Sequence, residues 1–291
     1  MAELVFRKYH GLGNDFVLVD HRHGSELTLS ADAAIEICDR NFGVGADGVI
    51  ALLPADAVPS QGAGDPPADF AMRIINSDGS EPEMCGNGIR CLARYISDLG
   101  IAPQNGAYRI ATLAGLMVPR LQADGMVQVE MGSPHLLAAE IPTTLIDPTQ
   151  KVVEVPIQVA QQEWLVTCVS MGNPHAVVFV EDMAAIDLAG VGCQFEHHAA
   201  FPQRINTEFV QVLDPNQAKM RVWERGAGAT LACGTGACAV LVAGVLTGRL
   251  ESGATIELPG GSLYIEWDQA RQQVLMTGPA QQVFQGVWVK S

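Results

Sequence analysis

The sequence predicts an α+β protein made of two related halves, each with many short strands around one helix. Three observations lead to this prediction. The segment MCGNGIRC (Met84–Cys91) returns as ACGTGAC (Ala232–Cys238), which places Cys85 and Cys233 148 positions apart in a chain of 291 residues. Strand-like runs dominate both halves, and a helix signal begins just after each cysteine. A self-similarity at about half the chain length indicates two related halves.

The similarity extends upstream of the cysteines without a gap. Met72-Arg73 precedes Cys85 by the same distance as Met220-Arg221 precedes Cys233, and each pair opens a β-branched, strand-like stretch. We therefore expect each half to present one Cys-Gly-x-Gly turn to a common cleft. Two thiols placed in this way suit a reaction that needs an acid and a base on opposite faces of one substrate carbon.

Strand signals are short apolar runs bounded by turn residues. In chain order they are Phe16–Asp20, Met72–Ile75, Val127–Met131, Val152–Val159, Trp164–Val169, Ala176–Val180, Phe209–Leu213, Met220–Trp223 and Tyr264–Trp267. Helix signals are fewer. Ser30 predicts an N-cap for a helix over Ala31–Arg40, with Ile35 and Cys38 on one face. The other two helices follow the cysteines and end at glycines: Gly88–Leu99 before Gly100, and Gly236–Leu246 before Gly248.

Domain boundaries are indicated by turn residues between strands. Gly132-Ser133-Pro134 separates two strand signals, whereas the Pro/Gly-rich stretch Asp56–Asp69 predicts a mobile surface excursion rather than a linker. The last run, Val283–Val289, is expected to return to the first half and complete its sheet. These signals predict an N-terminal domain of residues 1–132 joined by residues 280–291, and a C-terminal domain of residues 133–279.

The composition excludes some classes of partner. The chain is 48% hydrophobic, enough for a large core, and carries a net charge of −15. Phosphate binding needs clustered Lys and Arg, and no basic run occurs, so we expect no nucleic-acid partner and no binding to an anionic membrane. The uncharged stretch Gly226–Gly248 is long enough to span a bilayer. Its glycines and its turn-like first half predict a buried helix after a loop instead.

The cysteines predict a cytoplasmic location. Seven are scattered along the chain, an odd number in a protein too large to need disulfides, and the first ten residues lack the pattern of a signal peptide. No pair of cysteines has the short spacing of a zinc site, and His197-His198 has no cysteine nearby. We therefore expect no metal.

Cys85 and Cys233 are the candidate catalytic residues. A helix N-terminus favours the thiolate and lowers the pKa of a thiol placed there. The neighbouring glycines let backbone N–H groups approach a substrate carboxylate closely. A single cysteine of this kind is more often a small buried hydrophobe, but the repetition favours a function. A redox switch that closes a Cys85–Cys233 disulfide is a further alternative.

Short polar motifs occur where strands should end. They are Gly13-Asn14-Asp15-Phe16, Asn76-Ser77-Asp78-Gly79, Gly172-Asn173-Pro174-His175, Arg204-Ile205-Asn206-Thr207 and Glu224-Arg225-Gly226. A single Asn-containing motif is ordinary turn chemistry. The pair Glu224-Arg225 is harder to explain in that way, because an adjacent carboxylate and guanidinium can hold an ammonium and a carboxylate group. This pair predicts a site for a zwitterionic amino-acid group.

With these motifs the chain resembles the diaminopimelate epimerase family over essentially its whole length. The motifs that carry the resemblance are GLGNDF (Gly11–Phe16), NSDGSEPEMCGNGIRC (Asn76–Cys91), MGNPHAV (Met171–Val177), RINTEFV (Arg204–Val210), WERGAG (Trp223–Gly228) and ACGTGACA (Ala232–Ala239). The resemblance implies two pseudo-symmetric domains, each a curled, barrel-like mixed sheet around a central helix, with the active site in the cleft between them. It also implies a homodimer that interconverts LL- and meso-2,6-diaminopimelate, for lysine and peptidoglycan synthesis, without pyridoxal phosphate or another cofactor.

The resemblance also implies roles for individual residues. Cys85 and Cys233 match the two catalytic thiols, of which Cys85 matches the one that acts on the LL substrate. The backbone N–H groups that hold the reacting carboxylate match Gly86, Asn87, Gly234 and Thr235. The side chains that fix the substrate, chiefly its distal end, match Asn14, Asn76, Asn173, Asn206, Glu224 and Arg225. His175 matches a residue close to the site, with either a structural role or an effect on a thiol.

A proline or hydroxyproline racemase is the nearest alternative on the same fold. Those relatives tend to carry a histidine where this chain has Asn87, and a small cyclic substrate has no distal group for Glu224 to hold. In the gapless alignment of the two halves, Glu224 takes the place of Asn76. This asymmetry lets the surroundings of the thiols distinguish one end of the substrate from the other. In one departure from the family pattern, Gly48 stands where some members carry a glutamine.

Overall fold

The computed structural model describes residues 3–23, 30–58 and 67–289. The chain divides into two compact units: unit 1 is Met1–Val129 with Gly278–Ser291, and unit 2 is Glu130–Thr277. Residues 59–66, within the predicted excursion Asp56–Asp69, lie outside the described residues.

Unit 1 contains a seven-stranded mixed sheet and two helices. The strands are, in spatial order, β18 (Gln281–Val289), β1 (Glu3–Gly11), β2 (Asn14–Asp20), β3 (Gly48–Leu53), β4 (Phe70–Asn76), β5 (Ile110–Thr112) and β6 (Gly115–Met117). The helices are α1 (Ala31–Cys38) and α2 (Gly86–Asp98), and β7 (Arg120–Leu121) pairs with the start of β8 (Val127–Gly132). The last strand of the chain therefore pairs with the first, antiparallel.

Unit 2 contains a second mixed sheet and two further helices. Its strands are, in spatial order, β17 (Gln273–Gly278), β16 (Gly261–Asp268), β15 (Gly253–Leu258), β13 (Gln217–Glu224), β12 (Asn206–Asp214), β11 (Pro174–Phe179), β10 (Gln162–Ser170) and β9 (Val155–Val159), and β14 (Gly228–Ala229) pairs with β13. The helices are α3 (Leu188–Glu196) and α4 (Gly234–Leu246), with a short 3₁₀ turn at Met183–Ala185.

The two sheets repeat one pattern of strand directions. In unit 1, β2 and β3 are parallel, β3 and β4 antiparallel, and β4 and β5 parallel. In unit 2, β11 and β12 are parallel, β12 and β13 antiparallel, and β13 and β15 parallel. Each parallel pair needs a crossover, which α1 to α4 supply in turn. The predicted α+β fold with two pseudo-symmetric domains is confirmed, and both sheets are curled but open rather than closed barrels.

The helix α4 lies in the interior of unit 2 and is apolar on all sides. It contacts five strands, β10, β11, β12, β15 and β16. A helix without a polar face is stable only when it is buried in protein or in lipid, and here protein surrounds it. The predicted buried helix within Gly226–Gly248 is thus confirmed. In the part of the chain that the structure describes, no helix is long and apolar enough to cross a membrane.

The helices α2 and α4 begin two residues earlier than predicted. Each starts at the glycine that directly follows its cysteine, because Cys85 and Cys233 are themselves the N-caps. Both helices end as expected, with Gly100 (φ 81°) and Gly248 (φ 68°) in the left-handed conformation that glycine adopts most readily.

Other predicted elements need correction. Ser30 caps α1 by accepting a hydrogen bond from the Ala33 N–H (3.2 Å), but the helix ends at Cys38 rather than Arg40. Ile35 is 43% exposed although Cys38 is buried, and Ala34 and Ile37 face the core with Cys38. The strand predicted from Val152 begins at Val155 instead, as Glu154 has φ 51°. The helix α3 was not predicted, since the two glycines of LAGVGCQFE lower its helix propensity.

Candidate active site

Cys85 and Cys233 occupy the same position in the two units. Each is extended (φ −137° and −128°) and is the N-cap of a 13-residue helix. The Cys85 sulfur accepts a hydrogen bond from the Gly88 N–H (3.5 Å), and the Cys233 sulfur lies 3.6 Å from Thr235 Oγ1. Since the first N–H groups of a helix have no partner within it, each thiol lies beside donors that can receive an anion.

In unit 1, two asparagines lie beside Cys85. Asn87 Nδ2 donates to Asn14 Oδ1 (3.0 Å), and the Cys85 sulfur lies 3.9 Å from the same oxygen. The other end of the Asn14 amide donates to Asp47 (2.7 Å). Asn76, at the end of β4, donates through its backbone and side chain to Ser80 and thereby shapes the turn before Cys85. The structure thus brings Asn14, Cys85 and Asn87 together.

A buried arginine fixes the first turn of α2. Arg90 is fully buried, and its guanidinium donates to Asn87 Oδ1 (3.0 Å) and to the Gly86 carbonyl (3.2 Å). It therefore holds both residues that follow the cysteine. The sequence pattern gave no sign of this function, because Arg90 falls inside a helix whose other residues point to a simple core.

A cluster of charges stands behind Asn14. Its partner Asp47 also accepts from Arg40 (2.7 Å), which in turn pairs with Asp15 (2.8 Å). Lys8 reaches the same Asp15 carboxylate at 2.8 Å. Burial opposes the charge of Asp15, but Arg40 and Lys8 outweigh it and hold the pKa of that carboxyl below its usual value. The Asp15 carboxylate therefore stays charged at neutral pH, and the ion pairs of Arg40 with Asp15 and Asp47 hold the partner of Asn14 in place.

In unit 2, a buried histidine lies between two oxygen atoms. His175 Nδ1 is 2.6 Å from Glu208 Oε1, and Nε2 is 3.0 Å from Asn173 Oδ1. His175 and Glu208 are both fully buried. The nitrogen, oxygen and sulfur atoms of His175, Glu208 and Cys233 all lie within 4.8 Å of one another. The resemblance placed His175 near the site, whereas Glu208, which lies within the motif RINTEFV, was assigned no role.

These three side chains are of types that bind transition metals. Two ligands of one tetrahedral zinc ion are about 3.3 Å apart, judged from metal–ligand distances of about 2 Å. The Nδ1 to Oε1 separation of 2.6 Å is shorter and is that of a hydrogen bond. The arrangement is therefore that of a hydrogen-bonded pair beside a thiol.

Asn206 connects β11 to the Glu224-Arg225 turn. Its Nδ2 donates to the Pro174 carbonyl (2.9 Å), and its Oδ1 accepts from the Arg225 N–H (2.8 Å). Glu224 accepts a hydrogen bond from Thr230 Oγ1. The exposed Arg225 guanidinium contacts the Gln203 carbonyl (3.0 Å). The structure thus brings together Asn206, Glu224 and Arg225 at the end of β13.

Glu196, which no sequence motif indicated, also holds the turn that carries Glu224 and Arg225. This residue ends α3 and is 4% exposed. Its carboxylate accepts from Trp223 Nε1 (2.7 Å) and from the Gly226 N–H (2.9 Å), and it pairs with Arg204 (3.2 Å). Burial opposes its charge, but these donors hold the pKa of Glu196 below its usual value.

The pKa of the Cys233 thiol contradicts the expectation from its helix terminus. Burial raises this pKa well above its ordinary value, and the charges of Glu224 and Glu208 raise it further. Burial also raises the pKa of Glu224, to which the charge of Glu208 adds. The expected lowering at the helix N-terminus is thus outweighed, and Cys233 is a thiol at neutral pH.

Comparison with known proteins identifies close relatives. The family model described as "Diaminopimelate epimerase" matches residues 6–137 and 167–283. A diaminopimelate epimerase of Gloeothece citriformis (strain PCC 7424) is 61% identical over 284 residues, which cover 97% of this chain and 98% of the relative. One of Synechococcus sp. (strain JA-2-3B'a(2-13)) is 62% identical over 286 residues, covering 97% of each chain.

Solved structures share the fold at much lower identity. A PhzF-family phenazine biosynthesis protein of Bacillus anthracis is similar with a TM-score of 0.67, at 14% identity and over 100% of both chains. A hydroxyproline epimerase of Agrobacterium vitis, solved with bound trans-4-hydroxy-L-proline, is similar with a TM-score of 0.66, at 15% identity, over 98% of this chain and 92% of that one. At these identities the likeness extends to the fold alone.

Proposed function

The chain belongs to the diaminopimelate epimerase family, and on this premise we propose that it interconverts LL- and meso-2,6-diaminopimelate without pyridoxal phosphate. The observation that carries the proposal is the identity of 61% and 62% to curated diaminopimelate epimerases over 97% of the chain. The reaction is an isomerisation that serves lysine and peptidoglycan synthesis. The proposal assigns one catalytic thiol to each unit, Cys85 to unit 1 and Cys233 to unit 2.

The two thiols move the proton. In the LL-to-meso direction, the Cys85 thiolate takes the proton from the α-carbon, and the C–H electron pair spreads onto the adjoining carboxylate. The Cys233 thiol then gives its proton to the opposite face of the same carbon, and the pair forms the new C–H bond. The raised pKa of Cys233 supports this assignment, because it keeps the donor protonated before the reaction. In the reverse direction the roles exchange.

The helix N-termini stabilise the charge that develops on the substrate. The backbone N–H groups of Gly86 and Asn87, and of Gly234 and Thr235, hold the reacting carboxylate. Donors already oriented toward a developing anion need no reorganisation during the reaction, which makes them effective in a site closed to water. The Arg90 contacts to Gly86 and Asn87 support this function, since they fix the first turn of α2 in advance.

The family resemblance assigns six side chains to binding of the substrate, chiefly of its distal amino-acid end. These are Asn14, Asn76, Asn173, Asn206, Glu224 and Arg225. Glu224 and Arg225 supply opposite charges at the end of one strand. Asn206 accepts from the Arg225 N–H and Glu196 from the N–H of the following Gly226, so both hold this turn. A cyclic amino acid such as proline has no second ammonium and carboxylate for them. This argues against the racemase alternative, which shares only the fold.

Hydrogen exchange tests this function directly. The protein is incubated under reducing conditions in deuterated water with LL-diaminopimelate and, separately, with L-proline. We expect deuterium at the α-carbon of diaminopimelate only, together with formation of the meso isomer. Exchange into proline alone would assign the chain to the racemases. No exchange into either compound would refute both enzymatic hypotheses, the epimerase and the racemase.

Replacement of each thiol tests the two-base mechanism. Cys85→Ala and Cys233→Ala should each lower turnover by at least about 10³-fold, since each removes one obligatory proton carrier. Cys193→Ala, which changes an exposed thiol, is the matched control and should retain normal turnover. Near-normal activity of either of the first two variants would exclude the mechanism.

The protein works as a homodimer in the cytoplasm, where its thiols stay reduced. The free edge of the first sheet supports the dimer. The edge strand β18 exposes Val283, Phe284, Val287 and Val289, and Val5 of β1 lies opposite Val287 with 71% of its surface exposed. Such an apolar edge is normally covered. Light scattering should give twice the 30.9 kDa of one chain, and Val287→Lys should reduce that mass toward the monomer.

A further inference from the structure

The pseudo-symmetry of the two sheets identifies equivalent residues beneath the two thiols. In unit 1, Phe16 lies opposite Gly48, and Gly48 opposite Asn76. In unit 2, His175 lies opposite Asn206, and the register of β12 with β13 places Asn206 opposite Glu224. Each set ends nine residues before its cysteine. His175 is therefore the counterpart of Phe16, and Glu208, two residues after Asn206, is the counterpart of Ile50, two residues after Gly48.

The packing at the helix termini shows the same equivalence independently. Gly88 and Gly236 are the third residues after the two cysteines. A methyl group added at Gly88 would lie 2.9 Å from Ile50 Cδ1, and one added at Gly236 would lie 2.7 Å from Glu208 Oε1. Ile50 and Glu208 therefore lie under the same turn of the two helices. An apolar pair, Phe16 and Ile50, underlies Cys85, whereas a hydrogen-bonded pair of titratable side chains underlies Cys233.

We propose that Glu208 is a positioning residue for this reaction: its carboxylate holds the His175 ring beside the Cys233 thiol and makes the two thiols unequal. This inference rests on the proposed function, since it assigns Glu208 a part in the proton transfer at Cys233. Packing alone does not require a carboxylate here, because Phe16 and Ile50 fill the same positions in unit 1. The second carboxylate oxygen of Glu208 is buried and has no hydrogen-bond partner among the described residues, so the contact with His175 is the one that orients this side chain there.

The pair His175 of β11 and Glu208 of β12 is surrounded by groups from two further strands and one helix terminus. These groups are Glu224 of β13, Cys168 of β10, and Cys233 and Thr235 at the start of α4. The negative charge of Glu208 raises the pKa of Cys233, Glu224 and Cys168 in addition to the effect of burial on each. Among the described residues, Glu208 is thus the carboxylate that raises the pKa of all three groups, and its side chain is fully buried.

Peptide-resolved alkylation of the two thiols against pH tests the proposal without reference to activity. The full-length protein is treated with iodoacetamide across a pH series, and the rates at Cys85 and Cys233 are read by mass spectrometry. Glu208→Gln keeps the size and the hydrogen-bonding oxygen but removes the charge. We expect the pH at which the alkylation rate of Cys233 is half-maximal to fall by about one unit, and the corresponding midpoint of Cys85 to stay unchanged. Glu257→Gln, which removes a carboxylate paired with Lys219, is the charge-matched control and should move neither midpoint.

Turnover is measured on the same variants. Glu208→Gln should lower kcat by about tenfold and leave KM within about twofold, because Glu208 tunes a proton carrier and does not contact the substrate. Unchanged thiol midpoints together with unchanged kcat would overturn the proposal. An absence of diaminopimelate turnover in the unmodified protein would refute the proposed function instead, and the thiol midpoints would still decide the part of Glu208.

A double substitution guards against simple misfolding. His175→Phe with Glu208→Ile reproduces in unit 2 the pair that unit 1 already carries, so the variant should fold with a normal melting transition. We expect its Cys233 midpoint to move toward that of Cys85 and its turnover to fall by at least about 100-fold. A folded double variant with normal turnover would show that the His175–Glu208 pair is structural only, and would overturn the proposal.

Discussion

At the scale of single residues, the turns at Cys85 and Cys233 have similar backbone conformations but differ in how well their glycines would tolerate a side chain. The Cβ position of Gly88 meets the flexible end of Ile50, an apolar side chain that can turn away. The Cβ position of Gly236 meets the Glu208 carboxylate and, at 3.2 Å, the Cys233 sulfur. Because this carboxylate is already held by His175, it cannot move without breaking a buried hydrogen bond.

Alanine substitutions at these glycines should therefore have unequal effects. Gly88→Ala should change the free energy of unfolding by less than about 1 kcal/mol, since the gain in helix propensity offsets a small side-chain shift. Gly236→Ala should cost about 2–3 kcal/mol and reduce turnover. Urea denaturation of the two variants measures the free energy of unfolding, and steady-state kinetics measure kcat. Equal losses at both sites would contradict the inequivalence of the two turns.

At the scale of elements, α3 does more than cover the sheet of unit 2. Its apolar side packs Phe195 against Trp164 and Phe209, with ring centroids 6.0 and 5.8 Å apart. This packing places the last residue, Glu196, under the turn that carries Glu224 and Arg225. A helix that the sequence did not reveal thus orients the residues that we assign to the distal end of the substrate.

Glu196→Gln should weaken substrate binding more than chemistry. The glutamine offers one acceptor oxygen in place of two, so either Trp223 or Gly226 loses its partner and the turn loosens. We expect KM to rise by about tenfold with kcat within about threefold, as for the loss of an interaction made equally in ground and transition states. Steady-state kinetics measure both parameters. A fall in kcat at constant KM would instead connect Glu196 to the proton transfer.

At the scale of the whole molecule, the buried thiols make stability depend on alkaline pH. Burial raises the pKa of Cys38 and of Cys91 to about 12, and it also raises the pKa of Cys168 and Cys233. A thiol of the unfolded chain ionises near pH 8.5. Above that pH the folded protein retains protons that the unfolded chain has lost, so the free energy of unfolding falls as pH rises.

The melting temperature should accordingly decline from about pH 8.5 upward, in the window that ends near the folded-state pKa values of about 12. In this window each buried thiol lowers the free energy of unfolding by about 1.4 kcal/mol per pH unit. Below about pH 8 the thiols do not make the free energy of unfolding depend on pH. Calorimetry between pH 7 and 10.5 tests this. Cys168→Ala should flatten the decline, whereas the exposed Cys193→Ala should not. A melting temperature independent of pH up to 10.5 would contradict the expected release of thiol protons on unfolding.

The sequence by itself determined the features that depend on local order. The repeated Cys-Gly-x-Gly turn, the helix that each cysteine caps and the glycines that end these helices all arise from residues a few positions apart. The motif order further identified the family, and with it the catalytic thiols. These predictions needed no knowledge of which strands pair.

Only the tertiary structure decided what surrounds each thiol. His175 and Glu208 lie 33 positions apart and meet because β11 and β12 are parallel neighbours in one register. Glu196 reaches the Glu224 turn, and Arg90 the residues after Cys85, through contacts that no local pattern encodes. The sign of the pKa change at Cys233 was wrong in the sequence analysis for the same reason. A helix terminus can be read from adjacent residues, whereas burial and the charges of distant strands exist only once the chain has folded.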